Sequence, residues 1–347
     1  MSEKQFLRHG LNGNQLKLIA VISMLCDHAA IRLLAYGLIP ALYVAGENMA
    51  AERWNQAFWI LRSVGRMAFP IYAFCLVEGF RHSHDLRRYG GRLLLLGVIS
   101  QLPYAFTLNR WYLEPAFGEV FPINPSRAFR SLNILFTLFI GLVLLVFFRK
   151  KPLARVIQSK GLAVLLLACG GFAVYTAEPE FDSRFRRLCT VLLLASAIAV
   201  ALLHVWRKHL ALRDWLARFA VLVFVVLLFE RYPLAHLRCN IDSGVWGILL
   251  ILCLSYAESR WSRALVVLLW GALFYSSLGM PDWGKICGTA AAALLLLLYN
   301  GERSRKPHPK LNKAFYAAYP LHLAVIWAMV IAAKGPLPQL KLLKYYL

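Results

Sequence analysis

Long apolar runs separated by short polar connections dominate the pattern of this chain. Most runs approach the length of about 20 apolar residues that a helix needs to cross a bilayer. The pattern predicts an all-α, polytopic integral membrane protein with ten or eleven transmembrane helices in contact with the lipid bilayer. The predicted spans lie near residues 16–37, 57–80, 92–108, 132–148, 161–177, 187–206, 214–230, 244–257, 263–280, 284–300 and 314–333.

Composition agrees with this class of protein. Apolar residues make up 60% of the 347 positions and charged residues only 16%, whereas the apolar share of soluble domains is nearer half. The seven cysteines show no Cys-x-x-Cys spacing, and most lie in apolar runs, where cysteine behaves as a small hydrophobe. We therefore expect neither a metal site nor a disulfide framework.

Positive charge is distributed unevenly over the connections. If the spans alternate, 22 of the 39 Lys and Arg residues fall on the side of the N-terminus and 13 on the other side. Because cytoplasmic loops carry such an excess, we expect a multi-pass protein of the inner (cytoplasmic) membrane with a cytoplasmic N-terminus. The net charge of +22 then needs no nucleic acid partner. The remaining four of the 39 Lys and Arg residues lie inside predicted spans: Arg32, Arg62, Arg66 and Arg218.

Ionisable residues are concentrated at the two ends of the chain. We interpret residues 1–347 as a single domain with polar helices at 14–108 and 314–333 and an apolar scaffold at 132–300. Ionisable groups at bilayer depth are costly and are functional candidates by default. The chemistry is therefore expected in the polar helices.

Lys17 and His28 form a polar stripe along the first span. Eleven residues on a helix correspond to three turns plus roughly 20°, and to about 16 Å along the axis, so the two side chains share one face. Such a stripe could line a shaft that runs from the cytoplasmic edge to mid-membrane. The alternative is a lysine that extends to the interface and a histidine hydrogen-bonded between helices.

Charged residues in the first two spans lie at matching depths. Asp27 and Arg66 are about equally far from the outer ends of their spans, and Glu78 falls near the level of Lys17, so we predict two ion pairs. These pairs have either a catalytic role or only a role in fixing helix register. Pro70 should kink the second span and free backbone groups there.

A basic connection follows the second span. Its arginines either anchor the cytoplasmic side of the protein or, together with nearby glycines, recognise phosphate groups. The candidate phosphate ligands are Lys17, Arg81, Arg87, Arg88 and Arg92, with Glu78, His82 and Tyr89 beside them.

Three further polar residues lie outside these segments. His322 lies in the last span, next to a proline, and Asn133 and Asp242 open spans from the outer side. The latter two are predicted to be helix caps, or else to face a substrate from the outer side.

Five stretches resemble the TraX family, which is named for a membrane protein implicated in N-acetylation of conjugative pilin. They are residues 13–28, 64–80, 88–104, 242–251 and 318–325. Lys17-x10-His28 is also similar to the Arg-x10-His signature of the wider transmembrane acyltransferase superfamily. The Phe-Pro-x-x-x-Phe core of the second span is similar to that of the lysosomal heparan glucosaminide acetyltransferase relatives.

The resemblance implies an acyltransferase that uses cytosolic acyl-CoA, with acetyl-CoA favoured, and an acceptor amine or hydroxyl at the membrane or outer face. It implies His28 as the general base, while Asp27 and Arg66 would fix the local electrostatics. Lys17 and the arginines 81 to 92 would then hold the nucleotide end of the donor. A pilin subunit or a surface glycan is the expected acceptor.

Two other classes of function remain open on sequence grounds. A proton-coupled transporter would use the buried cluster of Asp27, His28, Arg66 and Glu78, but polar positions in such proteins are expected in two related halves. A structural or assembly subunit would use these charges only to register helices.

Overall fold

A computed structural model describes residues 10–108, 131–149, 240–276, 281–302 and 309–332 of the protein. Almost all of these residues are helical, and two-residue strands pair in parallel through Ser131 with Asn240 and Leu132 with Ile241. The predicted spans 161–177, 187–206 and 214–230 lie outside the described residues.

Ten α-helices and one π-helical segment make up the described parts of the chain. In chain order they are α1 (Gly13–Ala29), the π segment (Ala30–Leu38), α2 (Ile39–Val44), α3 (Asn48–Gly65), α4 (Ala68–His82), α5 (Leu86–Thr107), β1 (Ser131–Leu132), α6 (Ile134–Arg149), β2 (Asn240–Ile241), α7 (Gly244–Tyr256), α8 (Arg260–Phe274), α9 (Trp283–Leu297) and α10 (Pro309–Ala332).

The eight predicted spans that fall on described residues all coincide with helices. The two largest boundary errors are in the first two segments: the first continues to Val44, beyond the predicted end at 37, and the second begins at Asn48 instead of 57. Among the described residues, Gly13–Val44 and Asn48–His82 are long and apolar enough to cross a membrane. Three shorter apolar helices accompany them: Ile134–Arg149, Gly244–Tyr256 and Trp283–Leu297. The full multi-pass topology stays a prediction.

The first helical segment begins with a strong cap and changes geometry halfway. The Asn12 side chain accepts hydrogen bonds from the amides of Asn14 and Gln15, and the Gln15 side chain accepts one from the Asn12 amide, which forms a capping box. After Ala29 the chain continues for nine residues as a π-helix. π-Helical turns are uncommon and often occur at functional sites.

The second helical segment is broken near its middle, as the proline in its sequence predicts. The break lies at Arg66 and Met67, between α3 and α4, and Pro70 falls in the first turn of α4. In that turn the amide nitrogen has no intrahelical acceptor, so proline is tolerated. The break places Arg66 at the junction of two helices.

Contacts between helix ends define two ends of the bundle. At the end that holds Lys17, called the inner end, Leu11 pairs with Tyr299 and Arg149 stacks over Tyr256. At the opposite, outer end, the Thr107 hydroxyl donates to the Leu323 carbonyl at 3.1 Å. The start of α1 and the end of α9 therefore meet at the inner end, and α5 meets α10 toward the outer end.

Helix α1 is central to the bundle and packs against α3, α4 and α10. A small-residue stripe brings α9 close to the same region, since a side chain at Gly284 or Gly288 would collide with Ser63 of α3. This Gly-x-x-x-Gly stripe therefore serves packing within the chain. The arrangement surrounds Asp27 and His28 with other helices.

Candidate functional site

His28 of α1 lies against His322 of α10 in the interior of the bundle. The His28 Nδ1 atom is 2.6 Å from the His322 Nε2 atom, and the two rings stack with centroids 4.9 Å apart. The His322 Nδ1 atom is 2.8 Å from the carbonyl oxygen of Ala318, one turn earlier on α10. A chain of two hydrogen bonds therefore runs from a backbone carbonyl to His28.

The direction of these hydrogen bonds fixes the tautomer of both neutral rings. A carbonyl oxygen only accepts, so Nδ1 of His322 carries a proton and Nε2 of the same ring accepts from Nδ1 of His28. The lone pair of His28 then resides on Nε2. Among the described residues, no hydrogen bond occupies this atom, so its lone pair is available to accept a proton.

Tyr319 forms one wall of the histidine pair. Its ring meets that of His28 edge-on at 6.4 Å and that of His322 at 5.5 Å, and only 5% of the residue is exposed. Packing of this ring limits the rotation of both imidazoles. The sequence contained a signal for this contact, because Tyr319 and His322 are separated by one helical turn.

Asp27 is held by two arginines of the second helical segment. Nη2 of Arg66 lies 2.5 Å from Oδ2 of Asp27, and Nη1 of Arg62 lies 2.8 Å from Oδ1. The predicted pair of Asp27 with Arg66 is present, and Arg62, one turn away, is a second partner that the prediction missed. Gly65 permits this approach, since a side chain there would overlap the Asp27 carboxylate.

Asp27 and His28 face different neighbours although they are adjacent in sequence. Consecutive residues on a helix point about 100° apart, so Asp27 turns to α3 while His28 turns to α10. His28 therefore contacts His322, whereas Asp27 contacts Arg62 and Arg66. Arg66 also interacts electrostatically with Tyr275 and Asp242.

At the inner end, two of the predicted phosphate ligands meet α10. The Lys17 ammonium lies 5.9 Å from the ring of Phe315, and the Arg92 guanidinium lies 6.0 Å from the ring of the next residue, Tyr316. Both cations therefore occur at the same level of the bundle, two turns of α10 before His322. Arg87 is exposed, and Arg88 is exposed with Asp85 at 3.5 Å.

Glu78 and Arg81 form a network that joins helices at the inner end. The Glu78 carboxylate accepts from Arg81 at 3.0 Å and lies 3.6 Å from both Arg263 and His82. The Arg81 guanidinium also donates to the carbonyls of Ser255 and Ala257 at 3.1 and 3.2 Å. The Arg81 guanidinium is thus occupied by partners within the protein, whereas Arg87 is exposed. The pairing of Glu78 with Lys17 stays a prediction.

We expect Arg81→Ala to lower the melting temperature of the purified protein and to leave the affinity for acetyl-CoA unchanged. The substitution removes the Arg81 donor from the Ser255 carbonyl and from the Glu78 carboxylate, while Arg263 still donates to the Ala257 carbonyl at 3.3 Å. A buried group left without its partner costs about 1–3 kcal/mol. A thermal melt combined with a binding titration measures both quantities. A loss of affinity for acetyl-CoA with an unchanged melting temperature would show that Arg81 is a ligand of acetyl-CoA and has no role in the fold.

The remaining candidates divide into caps and packing residues. The Asn133 Oδ1 atom accepts from the Leu135 amide at 3.1 Å, so the predicted cap of α6 is confirmed. Asp242 is not the predicted cap, because Ser243, with φ of 61°, is the residue at the start of α7; a role of Asp242 toward a substrate stays a prediction. Tyr89 packs against Gly79 of α4.

Within the described ranges, no group of three His, Cys, Asp or Glu residues is placed to hold a metal.

Comparison with known proteins agrees with the family resemblance. The pattern of the TraX protein family matches residues 12–233, which include α1 to α6, Lys17, His28 and the Asp27 cluster. The chain belongs to the TraX family. The similar stretches at 242–251 and 318–325 lie outside the matched residues, although His322 of the second stretch contacts His28.

A curated relative of this TraX-family chain is the probable fimbrial assembly protein FimC, serogroup H1, of Dichelobacter nodosus. It is 35% identical over 132 residues, which cover 38% of this chain and 44% of that protein. The chain thus spans less than half the length of this relative. No solved structure matches the chain.

Proposed function

We propose that this protein is a membrane-embedded acyltransferase that moves an acyl group, in the first place acetyl, from cytosolic acyl-CoA to an amine or hydroxyl. The observation that carries the proposal is the hydrogen-bonded chain from Ala318 through His322 to His28. This chain leaves an unprotonated nitrogen inside the bundle, eleven residues from a lysine at the inner end. Deprotonation of an attacking amine or hydroxyl requires such a nitrogen.

Exposed apolar faces support a location in the bilayer. Soluble proteins rarely expose large contiguous apolar patches, whereas here several helices present apolar stripes on their outer surface. The exposed residues include Leu94, Leu95, Val98, Ile99 and Leu102 of α5, Leu265, Leu268, Leu269 and Leu273 of α8, and Leu321, Val325 and Met329 of α10. Lipid is the environment that suits these stripes, and we propose an inner-membrane protein with a cytoplasmic N-terminus.

The proposed reaction uses His28 as a general base. Nε2 of His28 removes the proton from the acceptor as its nitrogen or oxygen forms a bond to the thioester carbonyl carbon. The imidazolium is stabilised by donation from Nδ1 to His322, and it returns the proton to the departing thiolate. The acyl-CoA thioester supplies the acyl group and leaves as free coenzyme A, and the acceptor becomes an amide or ester.

The residues at the inner end fit the nucleotide part of an acyl-CoA donor. Lys17 and Arg92 lie at one level near α10, and Arg87 provides an exposed guanidinium nearby in sequence. Cations and guanidinium forks bind phosphates. The distance of about 16 Å along α1 from Lys17 to His28 is then available for the extended pantetheine arm.

We expect native mass spectrometry of the purified protein to show a bound acyl-CoA, with affinity that falls as salt rises. Charge reversal by Arg87→Glu together with Arg88→Glu should weaken binding about tenfold or more, because each lost contact to an anion is worth about 1.5–3 kcal/mol. The control is Arg53→Glu, which reverses an exposed charge near the outer end of the bundle. Equal affinities in all variants and salts would refute this placement of the donor.

The relatives support a pilus-related acceptor. The TraX family resemblance concerns pilin acetylation, and the similar curated protein is a fimbrial assembly protein. We therefore propose that the acceptor is a pilin subunit or a surface glycan reached from the membrane or the outer side. Transfer is to nitrogen in the first case and to oxygen in the second.

The proposed topology predicts opposite labelling of two exposed positions. In a variant without native cysteines, a cysteine at Met49, which is 75% exposed near the outer end, should react with a membrane-impermeant thiol reagent in intact cells. A cysteine at Gly91, where added side-chain atoms meet open space, should react only after the cells are opened. The reverse pattern would invert the topology.

The proton-coupled transporter is less well supported by the structure. Such a protein needs buried carboxylates that exchange protons, but Asp27 is held by two arginines, and Glu78 is bound by Arg81 with Arg263 close by. Their charges are already compensated within the protein. The histidine chain, in contrast, has a direct use in acyl transfer.

A further inference from the structure

Arg32 is a buried cation for which the described structure offers no counter-ion. It lies in the π segment, is only 5% exposed, and its Nε atom is buried without a hydrogen-bond partner. Within the described residues it forms neither a hydrogen bond nor an ion pair, and the group that interacts with it electrostatically is Tyr36. Burial of an unpaired charge is costly, so this position calls for an anion.

The position of Arg32 relative to His28 indicates which substrate would supply the anion. Arg32 follows His28 by four residues, about one turn across the junction of α1 with the π segment. It therefore lies near the same face of the helix and about one turn closer to the outer end. Lys17 lies on the opposite side of His28, at the inner end, where the donor phosphates are proposed to bind. Arg32 therefore lies in the half of the site from which the acceptor would approach.

We propose that Arg32 binds a carboxylate or phosphate group that the acceptor carries close to its reacting amine or hydroxyl. The proposal rests on the acyltransferase function proposed above and specifies the acceptor class. A guanidinium presents a planar fork that matches both anions. The π geometry of Ala30–Leu38 supports it, since such turns often occur at functional sites. The contacts of this segment with α3 and α10 enclose the arginine within protein.

Stability without any substrate tests the anion site directly. Arg32→Met removes an unpaired buried charge and keeps an unbranched apolar side chain, so we expect its melting temperature to exceed that of the wild type. Dodecanoate or dodecyl phosphate should raise the melting temperature of the wild type relative to dodecanol, and should have no such effect on Arg32→Met. A lower melting temperature for Arg32→Met, or equal responses to the probes, would overturn the proposal.

Acyl transfer to matched amines tests the assignment to the acceptor. The probes are dodecylamine, α-aminododecanoic acid and dodecyl phosphoethanolamine, and the two anionic probes separate a carboxylate from a phosphate source. For the wild type and the exposed control Arg53→Gln, we expect at least one anionic probe to have a KM about ten- to a hundredfold below that of dodecylamine. Arg32→Gln should abolish this preference, so that the KM values for the three amines become similar.

The two experiments separate the two proposals. If the wild type transfers acetyl to none of the amines and binds no acyl-CoA in native mass spectrometry, while the melting temperatures behave as expected, the anion site stands and the acyltransferase function fails. If transfer occurs without an anionic preference, the function stands and the role of Arg32 is refuted.

Discussion

His28→Ala should abolish acyl transfer while the protein still inserts and folds. General base catalysis typically contributes about 10²- to 10⁴-fold, and the substitution removes the base itself. The fold should survive, because the His28 side chain has one hydrogen-bond partner among the described residues, His322. The measurement is transfer of labelled acetyl from acetyl-CoA, together with a thermal melt and a donor-binding titration for the variant. Full activity in the folded variant would eliminate the mechanism.

Variants of His322 separate orientation of the base from packing. His322 contacts His28 rather than a substrate, so it is a positioning residue. His322→Phe keeps the ring against Tyr319 but removes the acceptor for the His28 Nδ1 proton, and we expect a lower kcat with unchanged donor affinity. His322→Gln retains an acceptor oxygen and should recover part of the rate. If both variants lose activity equally, the hydrogen bond from His28 to His322 is not the reason that kcat falls.

The helical framework could be predicted from the sequence because its signals are local. Apolar run length located the eight described spans, and the helical repeat placed Lys17 and His28 along one face. The number of residues from Asp27 and from Arg66 to the outer ends of their spans was enough to predict that they pair. Each of these inferences uses residues within one helix or in neighbouring helices, where geometry follows from residue number.

Contacts between distant segments could not be predicted in this way. His28 and His322 are 294 residues apart, and either histidine alone was equally consistent with an ordinary interhelical hydrogen bond. The partners of Arg81 are backbone carbonyls at 255 and 257, which carry no sequence signal. Helix α7 starts at Ser243, which has a left-handed backbone conformation. No signal in the sequence indicated that Ser243, and not Asp242, would adopt this conformation.

Asp27→Ala should be among the most destabilising single substitutions in the protein. It leaves the guanidinium groups of Arg62 and Arg66 without their carboxylate in a region where their side chains are less than one-fifth exposed. Removal of one partner from a buried ion pair costs about 3–5 kcal/mol. Arg66→Met should cost more than Arg62→Met, because Arg66 makes two short contacts with Asp27 and Arg62 makes one. Denaturant unfolding in detergent, followed by helical circular dichroism, gives the comparison.

The triple variant Asp27→Leu, Arg62→Met, Arg66→Met decides whether these charges serve only the fold. Replacement of a complete buried ionic group by apolar residues of similar size is often neutral or stabilising, so we expect stability to return to near that of the wild type. If the charges also provide the electrostatic environment of His28, the refolded triple variant should bind acetyl-CoA and still transfer acetyl slowly. A triple variant with wild-type stability and wild-type activity would restrict Asp27 and its arginines to helix packing. A triple variant that stays as unstable as Asp27→Ala would show that the hydrogen bonds of the cluster are themselves required for packing of α1 against α3.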